Sequence, residues 1–344
     1  IGVRLVGSEM CIRDRGILMF LALMIVPIMA LFALDNAGEI FSYPLNNPYG
    51  PHEEGNPTFF NFFAGVSAAT IIGNLSWGFG YMGQPHIVTR FMALRSPSEA
   101  REGRNAGMIW VGICYIGSVF TAIIGASYFG TTQHSVTDQE GFETIFLDMT
   151  YLLFHPLFAG LVLTAVLAAI MSTMSSQLLV TSSALIEDLY RGFAKKELTG
   201  RGLLIASRGM VVLIAVIAVL MALNPSDTIL GLVGFAWAGF GAAFGPVVVA
   251  SLFWRRLTAP GAMACMIVGA LTVLVWGYLP ATSELIYEMV PGVLFATIAM
   301  VVVSLATKPK PESEAEFDRA GKVFDYAMEH PEQSFDDALE HTPR

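Results

Sequence analysis

The sequence predicts an all-α integral membrane protein, and three observations carry that class. Hydrophobic residues make up 54% of the chain and charged residues only 14%, against about 25% charged in an ordinary soluble domain; the mean hydropathy is +0.61. Apolar runs of about 20 residues recur along the whole length, each sufficient to cross a hydrocarbon core, which excludes a soluble enzyme with a single anchor. The runs are continuous rather than alternating, so the spans are helices and not the strands of a barrel. A net charge of −9, much of it in the tail after Ala306, argues against a nucleic-acid partner. The three cysteines, Cys11, Cys114 and Cys265, match no metal or disulfide spacing and read as free thiols.

Taken in order, residues 1–15 (IGVRLVGSEMCIRDR) lack the apolar run of a signal peptide and read as a non-native segment, a translated scar. Residues 16–306 form the membrane domain, with eight expected spans, and residues 307–344 an acidic tail. The first span is Gly16 to Leu34, with Pro27 inside it. The connection Asp35 to Pro57 holds Asp35, Glu39, Glu53 and Glu54 without a Lys or Arg, and its Pro, Gly and Asn content marks a loop. The second span, Phe59 to Phe91, carries Gly78, Gly80, Gly83 and Pro85 within eight residues, so SWGFGYMGQPHI is expected to be distorted or partly unwound. Broken backbone at membrane depth is tolerated only against protein or a polar cavity, and such breaks often adjoin a transporter's substrate. Packing glycines beside interface-belt aromatics would give the same pattern.

Span three is Ala106 to Tyr128, and GFETIFLDMTYLL after it has the pattern of a short amphipathic helix on the membrane face. Span four opens near Pro156, and a basic loop with Arg191, Lys195, Lys196, Arg201 and Arg208 follows it. Span five is Gly209 to Leu223, extended at its front by Leu203 to Ser207, and an NPSD turn leads to span six, Ile229 to Trp254. Spans seven and eight are Ala259 to Leu279 and Leu285 to Ala306. Lys and Arg crowd the connections after spans two, four, six and eight and are missing after one, three, five and seven. By the positive-inside rule the former are cytoplasmic, as is the tail.

Span four holds the densest chemistry. Ser172, Thr173, Ser175 and Ser176 fall within five residues, with no charged residue between Leu161 and Ile186. A lone hydroxyl in such a helix bonds back to the carbonyl four residues earlier and serves packing. Adjacent Ser172 and Thr173 differ, because positions about 100° apart converge on one helix edge with the carbonyl of Ala169, one turn back. Neutral oxygens without fixed charge suit a weakly held monovalent ion, where a divalent ion would want carboxylates. The trio is a candidate sodium site.

At WGFGYMGQPHIVTRFMA (Trp77 to Ala93), LAAIMSTMSSQLLVTSSALIEDLY (Leu167 to Tyr190) and FAWAGFGAAFGPVVV (Phe235 to Val249), the sequence resembles the sodium/solute symporter family, in its proline-carrying branch. The likeness runs in order from Gly16 to near Lys308. It implies a LeuT-type fold of two inverted five-helix repeats, of which this chain would hold the last helix of the first repeat, the second repeat and two trailing helices. The eight spans would be the last eight of thirteen, and the family's unwound first core helix, with its share of both sites, would lie outside the chain.

The resemblance assigns Ser172 and Thr173 to the family's sodium-ligand hydroxyls and Ala169 to its carbonyl donor. It places Trp77, Tyr81 and Pro85 at positions lining the solute site of proline-carrying members. An imino acid needs an apolar wall for its ring, and Trp77 and Tyr81, four apart, share one helical face. The activity implied is sodium-coupled uptake of L-proline or a similar small solute across the plasma (inner) membrane by alternating access, with the Gly/Ala-rich sixth span in the outer gate. Carriage of another solute (pantothenate, a sugar or a short carboxylate) is the nearest alternative. A transporter-like sensor is a second, disfavoured by a tail too short for a kinase domain. An enzyme is not expected, since His86, His134 and His155 have no spacing of a catalytic pair or metal site.

Overall fold

The computed structural model describes residues 2–34, 38, 40–42, 45, 57–61, 63–131, 139–190, 200–223 and 228–341, without the side chains of 2–15, 131, 139, 140 and 187–189. Asp35, Glu39, Glu53, Glu54, the NPSD turn, His134, Arg191, Lys195 and Lys196 lie outside the described residues. Regular structure among the described residues is helical throughout. Seven of the helices are long and apolar enough to cross a membrane.

The chain divides into two compact units, Ile1–Ala64 with Met108–Thr228 and Gly65–Gly107 with Ile229–Arg344. In the first lie α1 (Gly2–Ala33), most of α4 (Pro97–Thr131), α5 (Gln139–Leu153), α6 (Pro156–Ser183), which runs on as the π-helical stretch Ala184–Tyr190, and α7 (Arg201–Ala222). Pro156 opens α6 where a missing N–H costs nothing, and the His155 ring accepts from Leu157 N–H at 3.4 Å. Ala22, Val26 and Ala30 of α1 bury against Ile124 and Tyr128 of α4, Met149 of α5, and Val162 and Ala165 of α6. Thus the GFETIFLDMTYLL segment is a helix, α5, whose inner face packs on α1 and α6.

The second unit is built on α8 (Ile229–Phe253), which packs against α2 (Ala68–Gly83), α9 (Ala259–Tyr278) and α11 (Met289–Ala306). Its buried face is Gly234, Ala238, Gly241, Ala242, Ala243, Gly245, Pro246 and Ala250. Small residues allow backbones to approach, which drives helix association where lipid is as apolar as the side chains. A Cβ on Gly241 would stand 2.9 Å from the Cα of Gly80, and one on Gly269 3.0 Å from the Cα of Ala243. The unit also holds α3 (Pro85–Met92), the one-turn α10 (Pro280–Ser283), and the tail helices α12 (Pro311–Glu329) and α13 (Phe335–His341).

Two expectations change. The glycines of SWGFGYMGQPHI do not unwind the helix: α2 is continuous to Gly83, and the one interruption is Gln84, extended at φ −85° and ψ 114°. The reason is that Gly80 and Gly83 are occupied by the close approach of α8, whose packing outweighs their poor helix propensity. Pro85, which lacks an N–H, restarts the chain as α3 at its first helical position. The expected second span is therefore two helices, of 16 and 8 residues; at 1.5 Å per residue α2 alone covers only about 24 Å of a roughly 30 Å core. The third span, expected from Ala106, starts earlier: α4 begins at Pro97, so Arg101 and Arg104 lie in its opening turns.

Candidate functional site

Candidate site residues occur in each unit. In the first, Ala169, Ser172 and Thr173 lie in the middle of α6, with Ala169 and Ser172 half-buried and Thr173 exposed. Most hydroxyls of this chain's spans bond tightly back to their own helix: Thr164 to Gly160 O at 2.7 Å, Ser175 to Met171 O at 2.6 Å and Ser176 to Ser172 O at 3.0 Å. Thr173 Oγ1 reaches Ala169 O only at 3.5 Å, the edge of hydrogen-bond range. Ser172 Oγ donates to no acceptor among the described residues. The packing role anticipated for serine and threonine thus fits Ser175 and Ser176. The Ser172 and Thr173 hydroxyls each have two acceptor lone pairs, and the Ala169 carbonyl is shared with Thr173 only loosely.

In the second unit, Trp77 and Tyr81 share one face of α2, and Pro85 stands just past its end, half-buried after the buried Gln84. Trp77 is held between two rings: Trp237 of α8 at 5.9 Å and 25°, and Tyr287, just ahead of α11, at 6.0 Å and 15°. Tyr81, 51% exposed, meets Trp237 edge-on at 4.9 Å and 84°. Trp237 Nε1–H donates to the Trp77 carbonyl at 3.1 Å, and the Tyr287 hydroxyl to the Gly234 carbonyl at 2.6 Å. Next to Trp77 on α2, buried Ser76 donates to Gly73 O at 2.6 Å. Four aromatic rings therefore form a continuous apolar wall in which the polar tips of Trp237 and Tyr287 are already satisfied, with Tyr81 as its open end.

Comparison with known proteins shows the family. The family model described as the Sodium:solute symporter family matches residues 14–269. The chain belongs to that family. Its relatives include the osmoregulated proline transporter OpuE of Bacillus subtilis (strain 168), 46% identical over 299 residues that make up 86% of this chain and 58% of the relative. The high-affinity proline transporter PutP of the same strain is 42% identical over 86% of this chain and 60% of its own. A sodium/proline symporter of Staphylococcus aureus is 40% identical over 92% of this chain and 61% of its own. The chain thus spans about three-fifths of the length of these relatives, and this family member is a multi-pass membrane protein.

Trp77, Tyr81 and Pro85 were legible from sequence as one neighbourhood, and the structure brings the first two together with Trp237. Trp237 and Tyr287 were missed. The available signal was Trp237 within the FAWAGFGAAFGP run, where an indole among glycines and alanines needs a receiving surface; for Tyr287 the sequence offered none.

Proposed function

We propose that this protein carries out sodium-coupled uptake of L-proline, or a closely similar small zwitterion, by alternating access. The observation that carries the reading is the aromatic wall of Trp77, Tyr81 and Trp237 beside the Gln84–Pro85 break. A pyrrolidine ring is a compact apolar body that such a wall receives, while its carboxylate and ammonium need fixed polar partners. The names of the three relatives, all proline transporters, support the same solute. Sodium is the second substrate, and Ser172, Thr173 and the Ala169 carbonyl are its proposed ligands in this chain. Three neutral oxygens do not complete a cation's shell, so the remaining ligands come from outside the trio.

Coupling follows from linkage. If sodium binding favours the arrangement that receives solute, solute raises sodium affinity by the same factor. Each sodium moving inward contributes about 2.3 kcal/mol per 100 mV of membrane potential besides its concentration term. That suffices to concentrate a net-neutral solute. The excess of Lys and Arg after alternate spans supports a plasma-membrane orientation with the tail helices α12 and α13 in the cytoplasm.

The test is uptake of labelled L-proline into vesicles with and without an inward sodium gradient, and with excess pantothenate, sugar or acetate as competitors. Sodium-driven accumulation blocked by unlabelled proline alone is the expected result. Accumulation blocked by another of these solutes would reassign the substrate, and uptake indifferent to sodium would remove the coupling.

A further inference from the structure

Trp237 lies on α8, about 160 residues from α2 in sequence, yet it touches both aromatic members of the proposed solute wall. Its ring face stacks on Trp77, its edge relation fixes Tyr81, and its N–H is committed to the Trp77 carbonyl at 3.1 Å. The receiving surface is shaped for it: a Cβ at Gly80, between the two aromatic positions, would overlap the Trp237 indole nitrogen and its neighbouring carbons. Tyr287 closes the other side of Trp77 and is tied by its hydroxyl to Gly234, one turn before Trp237 on α8. A Cβ at Gly234 would itself meet Trp77 and Tyr287 at 3.6 and 3.9 Å, so the stack fits its seat closely.

We propose that Trp237 is a positioning residue for solute recognition: seated on bare Gly80 and bonded to the α2 backbone, it sets the ring orientations of Trp77 and Tyr81 that a bound imino acid meets. Tyr287 braces the same stack from behind. Tyr81 stays half exposed even with Trp237 against it, and a tyrosine ring has alternative staggered rotamers. With Trp237 in place one orientation is selected before solute arrives, so the ordering entropy is not charged against binding. This rests on the reading of Trp77 and Tyr81 as solute-lining residues.

The experiment measures KM and maximal rate for labelled L-proline at saturating sodium in vesicles containing the full chain as it occurs in its membrane. The variants are Trp237→Phe, Trp237→Ala, Gly80→Ala, Trp77→Ala and Tyr81→Ala, with Gly107→Ala, whose added methyl meets nothing within 4 Å, as the control. Near-ultraviolet circular dichroism of each purified variant reports the stacked indole pair and the integrity of the fold. Trp237→Phe, which keeps a ring and loses one hydrogen bond, is expected to raise KM about fivefold with the maximal rate within about twofold. Trp237→Ala and Gly80→Ala raise it further and abolish the indole signal. A normal KM in the Trp237 and Gly80 variants, beside a raised KM in Trp77→Ala, overturns the positioning role alone. A normal KM in Trp77→Ala and Tyr81→Ala overturns the solute site and the positioning role together.

Discussion

The guanidinium of Arg255, at the cytoplasmic-side end of α8 in the proposed topology, grips the carboxylate of Asp318 on the tail helix α12 through two parallel bonds, Nε to Oδ1 at 2.8 Å and Nη2 to Oδ2 at 2.9 Å. Glu314, one turn earlier on α12, adds a looser contact at 3.9 Å. Further along the tail, Phe335 N–H donates to the Arg95 carbonyl at 2.7 Å and Ser98 N–H to the Pro331 carbonyl at 3.0 Å. The tail is therefore fastened at two points by different physics: an exposed fork-to-fork ion pair, and backbone hydrogen bonds to the connection after α3 and the first turn of α4.

The two fastenings predict a split response to pH. The hydrogen bond to Arg255 holds the Asp318 carboxyl below its ordinary range, against desolvation that acts the other way. A lowered folded-state value means that the contribution is complete above the ordinary carboxylate range and is lost as pH falls through the lowered value. Amide protection factors along α12, taken relative to the intrinsic exchange rate at each pH, are expected to fall under such acid conditions and in about 1 M salt, where the screening length is only about 3 Å. Protection at Phe335 should change much less. Arg255→Ala should reproduce the α12 effect at neutral pH, and equal loosening of both points would contradict the division.

Glycines in α2 should separate by what faces them. A Cβ at Gly83 would press into the carbonyl of Phe240, whereas one at Gly78 meets nothing within 4 Å. Gly83→Ala is expected to cost about 1–3 kcal/mol through overpacking, and Gly78→Ala to stabilise by roughly 0.5–1 kcal/mol through helix propensity. Thermal unfolding of the purified variants in detergent reads both signs. Gly239 and Gly241 on α8 form a second such pair, open and closed respectively, so a bulky residue is expected to be tolerated at the first and not at the second.

How α9 begins gives a third test. Thr258 Oγ1 accepts from Gly261 N–H at 3.2 Å and shares a 2.7 Å bond with Thr307 Oγ1, next to the fully buried Ser304. Removing this hydroxyl undoes a helix cap and strands its partners, so Thr258→Ala should lower stability by about 1–2 kcal/mol. Thr258→Ser, keeping the oxygen, should recover most of the loss.

What the sequence made legible were the quantities that depend on near neighbours in the chain. The helical spans follow from run length, and the Ala169, Ser172, Thr173 edge follows from helix geometry alone, so α6 required no knowledge of its surroundings. Gly80 and Gly83 were misread as breaks for the complementary reason: a glycine's local effect is visible in sequence, but its use as a landing surface depends on α8, far along the chain. The same holds for Trp237 and Tyr287, whose partners lie on other elements. The split of the second span at Gln84 was foreseen in place and not in form, since Pro85 marks the interruption while tertiary packing keeps the glycine-rich part helical.

The most direct measurement is the sodium dependence of L-proline uptake in Ser172→Ala and Thr173→Ala, with Ser175→Ala as the control whose hydroxyl is already bound at 2.6 Å to Met171 O. The account predicts that the sodium concentration for half-maximal uptake rises about tenfold or more in the first two, the equivalent of about 1.4 kcal/mol per lost ligand, and stays near that of the unsubstituted protein in the third. A sodium requirement unchanged in Ser172→Ala and Thr173→Ala would contradict it.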